Sequence, residues 1–135
     1  MNTGNPNHDQ PIDVGLLLER CMDDASLALM VLAKFEEQAA SDLAGLVRSV
    51  ATQENGGNGS TAEAARRAHA LRGTAGAIGA TELMNAASQL EEAAHTGTMS
   101  LAQELATTVV AEIRRCLGSV PTVRQELATR ATPPA

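Results

Sequence analysis

Apolar residues recur at intervals of three and four through most of the chain, the period of helices that turn one face inward. Alternation of Ile, Val and aromatic residues with polar ones, the mark of a half-buried strand, is absent. Residues 1–12 are polar, include Gly4, Pro6, His8 and Pro11, and hold too little apolar surface to order themselves, so His8 reads as a solvated tail residue. Asp13 then reads as the N-cap of a short helix, VGLLLERCM, whose leucines lie over a core. Asp23 or Asp24 caps a second, longer helix running to about Thr52, with Leu29, Leu32, Phe35, Leu43, Leu46 and Val50 on its apolar stripe. ENGGNGS, Glu54 to Ser60, is a loop whose glycines and asparagines stop that helix by accepting left-handed backbone.

Ser60 and Glu63, in S-T-A-E, form a capping box that opens a third helix. It carries His69 and ends at Gly79. Thr81 caps a fourth helix through about Thr96, with Leu83, Ala87, Leu90 and Ala94 on one face and Gly97 just past its end. Ser100 and Gln103 offer a second capping box for a fifth helix, in which Leu105, Val109, Ile113 and Leu117 recur every four residues. Gly118 and Pro121 punctuate that helix, and TVRQELATR extends or resumes it before the TPPA tail. No internal repeat is present. Four sizeable amphipathic segments with short connections are the sequence form of an all-α fold, an antiparallel four-helix bundle with an additional short N-terminal helix covering one end. The expected organisation is a tail over 1–12, the bundle over 13–120, and a C-terminal helix extension and tail over 121–135.

Composition narrows the possibilities. A length of 135 residues suits one domain with tails. The chain is rich in Ala and Leu, with one Phe and no Trp or Tyr, so its core is expected to be aliphatic helices packed at close range. Ten basic residues against sixteen acidic ones give a formal charge of −6, which argues against nucleic acid as a partner. Cys21 and Cys116 lie far apart without CxxC or His-rich spacing, so zinc and thioredoxin-like chemistry fit poorly and each is expected to pack as a small hydrophobe. The N-terminus has no basic run or apolar signal core, and no apolar run approaches the roughly 20 residues of a membrane span. A soluble, cytoplasmic protein with reduced thiols is expected, with no membrane association.

The third helix holds HALRGTAGAIGA, His69 to Ala80, where a titratable ring is followed by Gly73, Gly76 and Gly79. At about 100° per residue, Ala64, Ala68, Leu71, Ala75 and Ile78 gather on one inward stripe, and His69 falls roughly 140° from its centre. The imidazole should be exposed. Its neighbours on that face are Ala65 and Gly73 one turn away and Ala62 and Gly76 two turns away, with Arg66 and Arg72 at i−3 and i+3. A helix-interior glycine costs about 1 kcal/mol relative to alanine, a cost that makes sense where a partner surface must approach closely. An accessible imidazole nitrogen, held in one tautomer, can attack a phosphoryl group, and nearby guanidinium groups neutralise the oxygens it carries.

Blander readings compete with this one. A lone helical histidine is more often a surface residue with no role, and small residues also let helices pack closely, the role Gly79 suits best. GTAGAIG has a passing likeness to a nucleotide-binding loop, but no strand precedes it and no Lys-Ser or Lys-Thr follows. His95 sits near the fourth helix's C-terminus, where a cationic ring complements the dipole. The pairs Glu36 with Glu37 and Glu91 with Glu92 point in different directions on a helix and read as solvated faces.

His69 to Gly79, H-A-L-R-G-T-A-G-A-I-G, resembles the signature of the histidine phosphotransfer (HPt) family, His-x-Leu-Lys/Arg-Gly followed by a glycine six residues later. The likeness runs from about Leu17 to Leu117 and includes the aliphatic-Phe element around Phe35 and the Leu-Glu of QLEEA. It implies a four-helix bundle in which His69 is phosphorylated. Arg72 matches the family's basic position, Gly73 the small residue that admits the receiver, and Gly79 the turn glycine. Glu91 occupies the position that in the family carries a Glu or Gln bonded to the imidazole, leaving the other ring nitrogen as nucleophile. Arg stands at 72 where Lys is commoner, which keeps the charge and changes its geometry, and the loop from Glu54 to Ser60 is longer and richer in glycine than the family's pattern. Sensor kinase dimerisation helices also carry a phosphorylated His, but the acidic residue and later Pro typical of them are absent here.

The resemblance therefore implies a phosphocarrier without ATP-dependent kinase activity or a cofactor of its own, monomeric, with magnesium supplied by its partner. It would accept a phosphoryl group from the aspartyl phosphate of a response-regulator receiver domain or a hybrid sensor histidine kinase and pass it to another receiver. His69, Arg72 and Glu91 carry the chemistry in this reading, with Arg66, Gly73 and Gly76 on the docking face. The competing expectations are an adaptor of the same fold that docks partners without being phosphorylated, and a purely structural bundle.

Overall fold

The computed structural model of the chain describes residues 10–54, 61–96 and 99–131, without the side chains of 49–54, 61, 99 and 131. They form five helices and, among the described residues, no strand: α1 (Val14–Arg20), α2 (Ala25–Glu54), α3 (Thr61–Ala77), α4 (Thr81–Thr96) and α5 (Met99–Ala131). The expectations for His8, the loop glycines, the Ser60 cap and Gly97 lie outside the described residues, as does the side chain of Val50. Helices α2, α3, α4 and α5 close a ring in which each packs on its two neighbours, and α3 and α5 meet only across the diagonal. That is a four-helix bundle, as the apolar periodicity predicts.

Local chemistry explains most of the boundaries. Asp13 has extended backbone and its Oδ1 accepts the Leu16 N–H at 3.0 Å, the expected N-cap of α1. The expected run through Met22 stops at Arg20, because Met22 and Asp23 take left-handed backbone with φ of 57° and 61°. The Asp23 N–H then closes on the Leu18 carbonyl at 2.7 Å. Asp24, of the two candidates, caps α2: its Oδ1 accepts the Leu27 N–H at 3.1 Å. At the next corner Gly79 has φ of +74°, and the Ala80 N–H bonds back to the Ala75 carbonyl at 2.8 Å, a left-handed cap that ends α3. The first carbonyl of α4 to accept a helical bond belongs to Ala80, from the Met84 N–H at 2.9 Å, so the cap position falls one residue before the expected Thr81.

The same corner seats α1. The Asp13 N–H donates to the Gly79 carbonyl at 2.9 Å, and a Cβ at position 79 would lie 2.6 Å from the Asp13 carbonyl oxygen. Glycine is required there twice, for the turn and for the close approach.

Two expectations for α5 need correction. Its helix begins at Met99, which puts Ser100 inside it, and it runs without a break past Gly118 and Pro121. Pro121 is exposed while Val120, Val123 and Leu127 are buried, so packing of that apolar stripe outweighs the local cost of a proline that cannot donate to the helix. TVRQELATR is thus an extension of the fifth helix.

Apart from Phe35 the core is aliphatic, built on Leu17, Leu32, Leu46, Leu71, Ile78, Leu83, Leu90, Val109 and Ile113. Cys21 and Cys116 are free thiols buried within it, as expected, and burial pushes the Cys116 thiol up to about 12. Among the described residues, one ionisable group is buried outside the apolar cluster. Asp42 of α2 faces Arg67 of α3, Nη1 to Oδ1 at 3.5 Å, and Arg67 Nε also donates to Glu63 Oε2 at 3.1 Å. Among the described residues, no helix is long and apolar enough to cross a membrane.

Candidate functional site

The inward stripe of α3, Ala64, Ala68, Leu71, Ala75 and Ile78, is buried along its whole length. Fixing that stripe against the bundle forces His69 outward, and its side chain is 66% exposed. Arg66, Arg72 and Gly73 are exposed on the same side, and a Cβ at Gly73 would meet nothing within 4 Å. Gly76 is more enclosed than expected: a Cβ there would touch Met84 Sδ at 3.5 Å and Arg20 Nη1 at 3.9 Å, ordinary contacts from α4 and α1. Ala65, expected on the open face, is buried with Ala64 against Ala94. The last turn of α4 covers that side of α3, which a wheel drawn for α3 by itself does not contain.

Glu91 of α4 organises the site. Its side chain is only 14% exposed, and its Oε2 lies 2.9 Å from His69 Nδ1. The carboxylate can only accept, so the contact is a hydrogen bond when Nδ1 carries the hydrogen. Arg72 Nη2 approaches the same Nδ1 at 3.5 Å, but a guanidinium can only donate and cannot share a nitrogen that is itself donating. The shorter, charge-assisted contact decides the tautomer, and the lone pair falls on Nε2.

Arg72 is held by the carboxylate. Its Nη1 is 3.1 Å from Glu91 Oε1, close enough for a charge pair but off the hydrogen-bonding direction, so that shielded oxygen has an ionic neighbour and no hydrogen bond. The His69 hydrogen bond, followed by the charge of Arg72, holds the Glu91 carboxyl below its ordinary range against the opposing effect of desolvation. An ionised Glu91 in turn favours Nδ1–H on the ring.

Sequence reasoning missed a second ring at this place. His95 stands one turn after Glu91, is largely exposed, and brings Nε2 to 3.8 Å from Glu91 Oε2, an approach that is ionic when the ring is protonated and too long for a hydrogen bond. The i, i+4 spacing of Glu91 and His95 was the available signal. An open pocket of about 750 Å³ is lined by Ala62, Ala65, Arg66, His69, Glu91, Ala94 and His95. Glu36, by contrast, is exposed and pairs with Arg124, and Glu37 is exposed, in keeping with the solvated face expected of them.

The site residues expected from the sequence thus divide into a tight group, His69 with Glu91 and Arg72, and an outer group of Arg66, Gly73 and Gly76. Comparison with curated proteins and with solved structures gave no match. The model of the Hpt domain family matches residues 30–128, a span that takes in α3 and α4 and nearly all of α2 and α5. Hpt domains are helical phosphocarriers, not kinases, and they interact with the receiver domains of phosphorelay proteins. The chain belongs to the Hpt domain family, and its role is of the phosphotransfer type.

Proposed function

We propose that His69 is the phosphoacceptor, taking a phosphoryl group from the aspartyl phosphate of a receiver domain, on a response regulator or a hybrid sensor histidine kinase, and passing it to another receiver in a multistep phosphorelay. The observation that carries this reading is an exposed imidazole whose Nδ1 is bonded to Glu91 at 2.9 Å, leaving Nε2 without a partner among the described residues, with open space at Gly73 one turn further along the helix. In the forward step the Nε2 lone pair attacks phosphorus, the bond from phosphorus to the aspartyl oxygen breaks, and the electron pair leaves with the carboxylate. The ring then carries hydrogen on Nδ1 and phosphorus on Nε2, and Glu91 offsets its positive charge. Transfer onward reverses these events at a second aspartate.

Arg72, drawn to Glu91 Oε1, holds the carboxylate that orients the ring. Gly73 leaves room for the receiver, and Arg66 adds a cation at the edge of the covered face. Incubation with a phosphorylated receiver should label the wild-type chain and leave His69→Gln unlabelled. Label retained by that variant would remove His69 from the reaction, and no label on the wild type would favour an adaptor that docks without being phosphorylated.

A further inference from the structure

The cations around His69 are not equivalent. Arg72 is engaged by Glu91 at 3.1 Å and approaches the ring at Nδ1, the nitrogen that is not free to take phosphorus. Arg66 makes no ion pair among the described residues, is exposed, and lines the same pocket as His69. His95 lines that pocket from α4. Its one ion-pair contact among the described residues is Glu91 Oε2, which already holds His69 at 2.9 Å and stands 3.8 Å from His95. The His95 ring is therefore free to turn a donor toward the pocket.

Resting on His69 as the phosphoacceptor, we propose that Arg66 and His95 form the phosphoryl-binding wall of the site, holding the oxygens of the group on Nε2, while Arg72 acts on the carboxylate. The two residues belong to different helices, so the wall exists only where the last turn of α4 packs beside α3. That packing is the one that buries Ala65 and Ala94. The small side chains at 62, 65 and 94 line the pocket together with the two donors.

The consequence is a longer-lived phosphohistidine. Spontaneous loss breaks the Nε2–P bond: the electron pair returns to Nε2, which takes a proton, while a water oxygen bonds to phosphorus and inorganic phosphate leaves. The transition state is loose and metaphosphate-like, with less negative charge on the phosphoryl oxygens than in the phosphoramidate dianion. Donors fixed on those oxygens stabilise the starting state more than the transition state, and decay slows.

The test uses phosphoramidate as donor, which removes receiver docking from the question. The full chain is labelled, the donor is removed, and the first-order loss of label is followed alongside helical content by circular dichroism. Arg66→Gln and His95→Gln should each shorten the lifetime roughly three- to tenfold, the range for one partly exposed charge-assisted hydrogen bond. Arg66→Lys should restore part of it, and Arg72→Gln should decay more nearly as wild type does. The phosphorus resonance of the labelled protein should also move in both wall variants. Unchanged lifetimes in Arg66→Gln and His95→Gln, or a larger effect from Arg72→Gln, would overturn the assignment. Failure of His69 itself shows separately, as label on His69→Gln.

Discussion

Arg67 crosses α2 at Gly45: an added Cβ at that glycine would overlap Arg67 Nε and Cζ. The absent side chain is the channel through which the guanidinium reaches Asp42. Gly45→Ala sets two effects against each other. Alanine gains about 1 kcal/mol of helix propensity, but Arg67 must move and leave a buried carboxylate without its partner, a loss of up to about 3 kcal/mol at a site this enclosed. The second effect is larger, so Gly45→Ala should lower stability by about 1–2 kcal/mol. Urea unfolding measures it, and a stabilised variant would show that Arg67 finds an equally good position.

Asp42 and Glu91 should respond to acid in opposite senses. Burial raises the Asp42 carboxyl above its ordinary value and Arg67 only partly counters it. The folded state therefore holds that proton more tightly than the unfolded chain, and the stability from this linkage, present in acid, is lost as pH rises through the raised value. Asp42→Asn should flatten that part of the stability profile.

Glu91 is held below its ordinary 4.5, first by the hydrogen bond from His69. Its contribution is present above that ordinary value and disappears as pH falls through the lowered one. The stability difference between wild type and Glu91→Gln should shrink below about pH 4.5, a comparison that chemical denaturation at stepped pH supplies. Phosphotransfer should slow in Glu91→Gln at neutral pH, because the amide can still accept from Nδ1–H but brings no negative charge.

Gly73 and Gly79 separate space from backbone. Gly73→Ala meets open space and should stabilise the fold by up to about 1 kcal/mol, whereas Gly73→Gln should leave the helix folded and block transfer from a receiver by projecting into the approach. Normal transfer with glutamine there would refute the close-approach argument. Gly79→Ala combines a φ of +74° with a 2.6 Å overlap on Asp13, and should cost at least about 2 kcal/mol in the same assay.

Much of this was legible in the sequence for local reasons. Asp13 and Asp24 cap the helices they precede because capping depends on the next three residues, and the exposure of His69 follows from the buried stripe beneath it. What was illegible depended on a neighbouring helix. Ala65 is buried because α4 ends beside it, the Arg72 guanidinium goes to Glu91 because both stand on the same seam, and His95 joins the site by the same packing. Pro121 misled in the other direction: its local cost is real, and the burial of Val120 just before it and of Val123 and Leu127 after it outweighs that cost.

Gly118 gives a check on that last point. It is exposed within α5 and a Cβ would meet nothing within 4 Å. Gly118→Ala should raise stability by about 1 kcal/mol without changing transfer, and calorimetry alongside the labelling assay tests both halves.

The corner at Gly79 also works as a gear setting. His69 and the carboxylate that orients it belong to successive helices, and only the tight turn between them fixes the phase of one rotation against the other. One residue inserted at that corner would turn α4 by about 100° and advance it by about 1.5 Å unless the bundle repacked. Ring and carboxylate would then be mistimed while every side chain at the site stayed the same.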